Sequence, residues 1–145
     1  MRRPEHDRSA VIDVELFGDR LVPETLSLAE ARQLCNLAGV AVGVAGGHVA
    51  IEFVDSERIA QLNAEYRDKP APTDVLSFPI DGVEVLGGVP RELGDVVICP
   101  EHTADVREAI VHGALHLLGM DHEVDDGEML ALQAELLARA REEGR

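Results

Sequence analysis

Residues 103–118 constrain the fold of this chain more than any other part of its sequence. Read as a helix, the segment carries apolar side chains on almost its whole circumference: Ala109, Ile110, Val111, Ala114, Leu115, Leu117 and Leu118. A helix that is apolar all round is buried inside a protein. The segment therefore predicts an internal helix with other elements packed around it, and a histidine on this helix is expected to lie in the interior.

Strand and helix patterns are mixed along the rest of the chain. Short or alternating apolar runs predict strands at residues 10–16, 49–54, 75–78 and 95–99. Helical spacing predicts a helix over about 23–37, with Ser27 as its cap and Gly39 as its stop. A second helix is expected from a cap at Asp55 or Ser56 to about 67–68, and a terminal amphipathic helix over 126–141. Residues 81–94 are expected to form a surface loop.

This order of elements favours an α+β fold. We expect a single domain over residues 1–145, with one small mixed β-sheet packed with helices and a histidine helix similar to that of the zincin metalloproteases. The length of 145 residues and a hydrophobic fraction of 46% are sufficient for one core.

The composition limits how this chain could bind nucleic acid. Its formal charge is −15, the reverse of a basic nucleic-acid-binding surface. Only 3% of the residues are aromatic and none is Trp, which argues against a protein that binds single strands by stacking many bases. Any contact with nucleic acid is therefore expected to be local.

The sequence predicts a cytoplasmic protein. Cys35 and Cys99 lie far apart without metal-binding spacing, which is typical of free buried thiols in a reducing compartment. The N-terminus is charged and does not resemble an export signal, and the apolar stretch over 34–47 is too short to span a bilayer.

The histidines of residues 112–122 predict a metal site. His112 and His116 are four residues apart, so on a helix their rings project from one face, a turn apart. Gly119 can end the helix and turn the chain, which would let His122 approach the same ion. Three imidazoles leave a coordination position open, as in a catalytic zinc site. Nickel, copper and iron also accept such ligands, and a pair of histidines at this spacing is often only structural.

The other histidines lack this spacing. His6 is expected in a solvated tail, and His48 and His102 are expected to be surface or loop residues rather than ligands.

Gly113 separates this pattern from that of the metalloproteases, whose HExxH motif has a general-base glutamate at this position. Peptide hydrolysis by that route is therefore disfavoured unless Glu123, Asp121 or another carboxylate substitutes. Hydrolysis of a phosphodiester remains compatible with the site. Asp121 could orient a ligand imidazole or could simply cap the turn.

Residues 112–122, His-Gly-Ala-Leu-His-Leu-Leu-Gly-Met-Asp-His, closely resemble the signature of the bacterial endoribonuclease YbeY family, the rRNA maturation factors. Residues 62–67 with Lys69, residues 72–79 and residues 94–99 are similar to the family's other motifs, and the resemblance covers about residues 10–137. It implies a zinc-dependent, single-strand-specific endoribonuclease in 16S rRNA 3′-end maturation and ribosome quality control. The implied partners are rRNA and the small ribosomal subunit or its proteins, with no DNA and no membrane.

The resemblance implies that His112, His116 and His122 are the zinc ligands and that Arg67 is the functional arginine. A guanidinium can pair with phosphate and stabilise the charge that develops during cleavage. Alternatively, Arg67 could be a helix-terminal arginine that pairs with an acidic neighbour such as Asp68 or Glu65.

Other features leave alternatives open. Thr73, Asp74 and Ser77 could line the same cleft, although turn chemistry is the safer assignment for Thr73 and Asp74. Residues 100–110 are shorter than the family usually has before its histidine helix, so a flanking helix or loop is expected to be truncated. Two rival functions are a metal-dependent, protease-like hydrolase with a substitute base, and a non-enzymatic ribosome-assembly adaptor with a structural metal and an acidic surface that meets basic proteins.

Overall fold

A four-stranded mixed sheet forms the centre of the computed structural model, which describes residues 12–22, 26–44, 46–80 and 92–143. The strands are β1 (Ile12–Phe17), β2 (Gly47–Phe53), β3 (Val75–Pro79) and β4 (Glu92–Ile98). The α-helices are α1 (Leu28–Val42), α2 (Ser56–Arg67), α3 (Val106–Leu117) and α4 (Glu128–Glu143). The predicted α+β class, with one small mixed sheet in a single domain, is confirmed.

The spatial order of the strands is β1-β2-β4-β3. The first three of these strands run parallel, and β3 pairs antiparallel with β4 at the edge, with Val75 opposite Ile98 and Pro79 opposite Gly94. Helix α3 packs against both β3 and β4. The histidine helix therefore lies directly over the antiparallel edge of the sheet.

Alternating side chains along β4 divide the core between the two faces of the sheet. Val96 and Ile98 pack with α1, α3 and α4, whereas Val97 and the following Cys99 pack with α2. Cys35 and Cys99 are both free and buried, as predicted. Burial raises the pKa of the Cys35 thiol to about 12, so this side chain remains a neutral thiol and behaves as an apolar core residue.

The predicted caps of the first two helices are confirmed. Ser27 Oγ accepts a hydrogen bond from the backbone N–H of Glu30 at 3.0 Å, and Asp55 Oδ1 accepts one from the N–H of Arg58 at 2.9 Å. Helix α2 ends at Arg67 as expected, where Asp68 takes a left-handed conformation with φ of 62°. These ends follow from local hydrogen bonding.

The prediction that Gly39 ends the first helix is wrong. Helix α1 continues to Val42, and Gly43 with φ of 78° follows it. Gly39 is buried, and a Cβ there would lie 2.6 Å from Cδ1 of Ile12. This glycine therefore permits a close approach of α1 to β1.

The predicted loop over 81–94 is wrong at its end, because residues 92–94 belong to β4, whereas residues 81–91 lie outside the described residues. Helix α3 begins three residues later than predicted. A 3-10 turn (Pro100–His102) precedes it, and Asp105 Oδ1 accepts hydrogen bonds from the N–H groups of Arg107 and Glu108. His6 and the predicted strand residues 10 and 11 also fall outside the described residues, as do residues 23–25 of the predicted first helix.

Within the described ranges, no helix has both the length and the apolar character that crossing a membrane requires.

Candidate metal centre

Three imidazole rings meet at the end of helix α3. His112 and His116 lie one turn apart on this helix, and His122 reaches them from the segment that follows it. The ring centroids are 4.8 to 5.2 Å apart, and one nitrogen of each ring lies within 4.8 Å of one nitrogen of each of the others. The structure thus brings together the three histidines that the sequence singled out, in a cluster that could hold a metal ion.

The turn after α3 brings His122 to the other two rings. Gly119 has φ of 107°, a conformation that favours glycine, and the N–H of Met120 donates to the carbonyl of Leu115 at 3.0 Å. Asp121 Oδ1 accepts a hydrogen bond from the N–H of Glu123 at 3.0 Å. The glycine turn is therefore as predicted. In this structure the side chain of Asp121 caps the turn, which is one of its two predicted roles.

Gly113 lies where the histidine helix packs closely against the sheet. A Cβ at this position would lie 2.5 Å from Cγ1 and 3.0 Å from Cγ2 of Val96. The hydroxyl of Ser77 on β3 donates a hydrogen bond to the carbonyl of Gly113 at 3.3 Å. A side chain here would require Val96 or the elements themselves to shift, so the space at the position of the protease glutamate is occupied by a side chain of β4.

Gln133 on α4 contacts one ring of the cluster, an interaction that the sequence reasoning missed. Its Oε1 lies 2.9 Å from Nδ1 of His112. Because an amide oxygen only accepts hydrogen bonds, Nδ1 carries the proton and Nε2 of His112 is left with a free lone pair. Gln133 is buried on the apolar stripe of α4 that includes Met129 and Leu136. A polar residue on that stripe was the one signal available in the sequence.

The lowered pKa of one ring and the buried, unpartnered nitrogen of another are both compatible with a bound cation. Burial lowers the pKa of His116, and the neighbouring rings of His112 and His122 lower it further. The neutral form is the one that can coordinate a metal ion. Nδ1 of His122 is buried and has no hydrogen-bond partner among the described residues. Three converging imidazole rings are a suitable ligand set for zinc.

The histidines form one wall of an open cleft of about 880 Å³ between α3, β3 and the end of α2. Among the described residues, Arg67 is the one arginine that lines it, and Asp74, Asp121 and Glu123 supply three carboxylates. Nη2 of Arg67 lies 4.0 Å from Oε2 of Glu123. Arg67 therefore does pair with an acid, as the structural alternative expected, but the partner is Glu123 rather than Asp68 or Glu65.

Residues 73–77 contribute to both the turn and the cleft. Thr73, Asp74 and Ser77 all line the cleft. Asp74 Oδ1 also accepts hydrogen bonds from the N–H of Val75 at 2.8 Å and from the Thr73 hydroxyl at 3.3 Å. Turn chemistry and a position in the cleft thus coexist in the same residues.

His48 lies apart from this cluster, within β2. Its Nδ1 is 2.9 Å from a carboxylate oxygen of Glu92, and its Nε2 is 2.9 Å from a carboxylate oxygen of Glu15. The hydrogen bond to Glu92 is the main reason that the pKa of His48 is raised, and burial partly opposes it. Burial and the charge of Glu92 raise the pKa of the neighbouring Asp95, while His48 lowers it.

His102 lies in the short turn before α3, with Nε2 2.9 Å from the hydroxyl of Ser56. It does not line the cleft.

The fold and the cluster define a class of α+β proteins in which two histidines of a buried helix and one beyond its end face an open cleft. Residues 20–141 match the family model described as endoribonuclease YbeY. This chain belongs to that family.

Individual relatives agree with this assignment. A protein named endoribonuclease YbeY from Rubrobacter xylanophilus is 38% identical over 140 residues, which cover 92% of this chain and 96% of the relative. One of the same name from Bacillus licheniformis is 40% identical over 152 residues, which cover 90% of this chain and 95% of the relative. The solution structure of a Thermotoga maritima protein matches with a TM-score of 0.52 at 26% identity, covering 91% of both chains.

Proposed function

We propose that this protein is a metal-dependent endoribonuclease that cuts single-stranded RNA in 16S rRNA 3′-end maturation and in ribosome quality control. The proposed partners are rRNA and the small ribosomal subunit or its proteins, and the proposed compartment is the cytoplasm. Membership of the endoribonuclease YbeY family supports the reaction class. The observation that carries the proposal for this chain is the cluster of His112, His116 and His122 in an open cleft.

The three histidines are proposed as the ligands of one divalent ion, with zinc expected from the donor set. His112 would coordinate through Nε2, because its Nδ1 is hydrogen-bonded to Gln133. A divalent cation held there would act as a Lewis acid on the phosphodiester and would favour the deprotonation of water.

The charges of the cleft make RNA binding depend on the ion. In the part of the chain that the structure describes, the cleft is lined by one arginine, Arg67, and by the three carboxylates of Asp74, Asp121 and Glu123. Without a cation this surface repels a phosphate, whereas two added positive charges offset the excess of carboxylates. We therefore expect that loss of the ion weakens substrate binding as well as the chemical step.

Arg67 is proposed as the catalytic residue of the chain itself. Its guanidinium is about half exposed and lines the cleft, where it forms a 4.0 Å ion pair with Glu123. Such a weak, solvent-exposed pair is readily exchanged for a charge-assisted, bidentate contact with a phosphate. In that position Arg67 would neutralise the charge that develops on the phosphate oxygens during cleavage.

The packing of Gly113 leaves no room for a base at the HExxH position, so a protease-like hydrolase would have to use a substitute carboxylate of the cleft, such as Asp121 or Glu123. A glutamate at this position would need space that Val96 occupies. The base of a metalloprotease has no equivalent on the helix, so the site lacks the group that peptide hydrolysis requires at that place.

The test combines metal analysis with RNA cleavage. Purified protein is assayed for bound metal and for cleavage of an rRNA-precursor fragment, both alone and annealed to its complement. We expect bound zinc, cleavage of the single strand, and loss of both metal and cleavage in His116→Ala. His102→Ala is the matched control, because this histidine lies outside the cleft, and it should behave as the wild type.

Undiminished cleavage by metal-free His116→Ala would overturn the proposal. A wild type that holds its metal but cuts no RNA, together with a His116→Ala variant that does not fold, would favour the adaptor with a structural metal. Metal-dependent cleavage in a peptide library would favour the protease-like hydrolase.

A further inference from the structure

Two of the four aromatic side chains of this protein line the candidate metal cleft. The chain has one tyrosine, three phenylalanines and no tryptophan. Tyr66, on the last turn of α2, and Phe78, on β3, both lie in the same cleft as the histidines. Half of a scarce residue type is thus concentrated at the candidate site.

The ring of Tyr66 is unusually exposed for a side chain of its size. Its exposed fraction is 61%, the largest of any aromatic residue in the described part of the chain. An exposed ring of this kind gains little from folding, because it leaves most of its apolar surface in water. Aromatic surface that remains accessible within a cleft is typical of a binding site rather than of a core.

Phe78 holds the ring of Tyr66 in place. The two ring centroids are 5.1 Å apart with an interplanar angle of 68°, an edge-to-face arrangement. Phe78 itself packs against the core cluster formed by α2 and the outer side of β3 and β4. Tyr66 is therefore braced on one side by a residue anchored in the core, while most of its surface stays open.

We propose that Tyr66, braced by Phe78, is a stacking subsite for one unpaired nucleobase beside the metal centre. This inference rests on the proposed function, because it assumes that the cleft receives RNA. The bases of single-stranded RNA are free to stack on aromatic side chains, and such stacking tolerates any base because every base has a π-face. The subsite would therefore bind bases with little sequence preference.

The position of Arg67 supports the same substrate geometry. Arg67 follows Tyr66 directly, so their Cα atoms are about 3.8 Å apart, and both side chains line the cleft. A nucleotide whose base stacks on Tyr66 can place its own phosphate near the guanidinium of Arg67. Two neighbouring residues would thus bind the base and the phosphate of one nucleotide.

A single stacking position also provides a physical origin for preference for single strands. A base in a duplex already stacks on its neighbours and pairs with its partner, and both interactions must be broken before the base can stack on Tyr66. An unpaired base has no such cost. The low aromatic content is consistent with this arrangement, because stacking of one base requires only one exposed aromatic ring.

The fluorescence of the protein allows a direct test. Tyr66 is the only tyrosine and there is no tryptophan, so the intrinsic emission of the wild type reports on this ring alone. Metal-loaded protein is mixed by stopped flow with a short single-stranded oligoribonucleotide, so that binding is recorded before cleavage. The comparison is an oligonucleotide of the same length whose nucleotides are abasic, and free tyrosine amide corrects for absorption by the bases.

We expect the base-bearing strand to quench the emission and the abasic strand, with the same number of phosphates, to leave it nearly unchanged. Equal responses to the two strands, or no response at concentrations where the RNA is bound, would overturn the subsite. Tyr66→Trp repeats the measurement with excitation beyond the absorption band of the bases, and the same pattern is expected.

Variants provide a second, independent readout. We expect Tyr66→Leu to weaken binding of single-stranded RNA roughly 5- to 150-fold, the range that corresponds to stacking of one base. Tyr66→Phe should retain most of the affinity, because it keeps the ring. Phe17→Leu is the matched control, since Phe17 is also an exposed aromatic, at 49%, but does not line the cleft.

The bound metal of each variant is measured so that a change in folding is not mistaken for loss of stacking. Unchanged affinity in Tyr66→Leu, while the wild type binds and cuts RNA, refutes the subsite and leaves the proposed function intact. If the wild type binds the base-bearing strand with quenching but never cuts it, the proposed function fails and the subsite stands.

Discussion

Replacement of Gly113 by alanine tests the close contact between the histidine helix and the sheet. Taken alone, a change from glycine to alanine inside a helix stabilises it by about 1 kcal/mol. Here the new Cβ would lie 2.5 Å and 3.0 Å from the two methyl carbons of Val96, whereas carbon atoms in contact prefer about 3.5–4.0 Å. Because both methyl groups are close, any staggered rotation of the valine side chain leaves a methyl group in at least one of the two positions.

The expected result is a net loss of stability. Overpacking of a filled core costs about 1–3 kcal/mol, which exceeds the gain in helix propensity over most of its range. We expect Gly113→Ala to lower the free energy of unfolding by up to about 2 kcal/mol. For a domain of this size the corresponding fall in Tm is at most roughly 8 °C. Chemical denaturation of the wild type and the variant, together with thermal melting, measures it.

The double variant with Val96→Ala is the matched control. Val96→Ala alone removes two buried methyl groups and is expected to cost about 1.6 kcal/mol or more. In the double variant the smaller side chain leaves space for the alanine at position 113, so the two losses should not add. We expect a favourable coupling of about 0.5–3 kcal/mol. If Gly113→Ala raises the Tm, or if the two losses simply add, the reasoning from close packing is wrong.

Three further predictions concern Gln133, Arg67 and His48. Gln133→Met removes the acceptor for Nδ1 of His112 and is expected to weaken metal affinity about 10- to 100-fold, measured by competition with a chelator. Arg67→Ala is expected to lower kcat by about 100-fold or more, because a phosphate-stabilising donor is lost, with its bound metal unchanged by elemental analysis. The raised pKa of His48 means that the folded state holds its proton more tightly. Its stabilising contribution is complete below pH about 6.5 and is lost as the pH rises through the raised pKa, as urea unfolding at several pH values would record.

Each of these has its own control. Gln133→Glu keeps an acceptor oxygen and should retain most of the metal affinity; equal loss in both variants would indicate a packing defect instead. Arg67→Lys keeps the charge but not the bidentate geometry, and full activity in Arg67→Ala would exclude a catalytic role. His48→Gln should flatten the pH dependence above pH about 6.5, and an unchanged profile would mean that another group titrates.

The local features of this fold could be predicted from sequence because they depend on residues a few positions apart. Ser27 and Asp55 cap helices through hydrogen bonds to backbone groups three residues on. The spacing of His112 and His116 needs only the helical period. The glycine turn that follows them depends on a single backbone conformation at Gly119. Together these short-range rules identified the three histidines of the cluster before any tertiary structure was considered.

Contacts between distant segments had to come from the tertiary structure. Gln133 lies 21 residues beyond His112, and only the packing of α4 on α3 joins them. The same holds for the contact between Tyr66 and Phe78, which belong to different elements. The periodicity of a sequence indicates which face of an element is buried, but it carries no information on which residue of another element that face meets.

Glycine illustrates the same division within one residue type. The sequence predicted that Gly119 would turn the chain, and it does, because its positive φ is a local property. It also predicted that Gly39 would end a helix, which is wrong, and it interpreted Gly113 only as a missing base. Both of these glycines instead lie where a helix is pressed against the sheet. A close approach is decided by how whole elements pack at the density of a protein interior, a property that no short stretch of sequence contains.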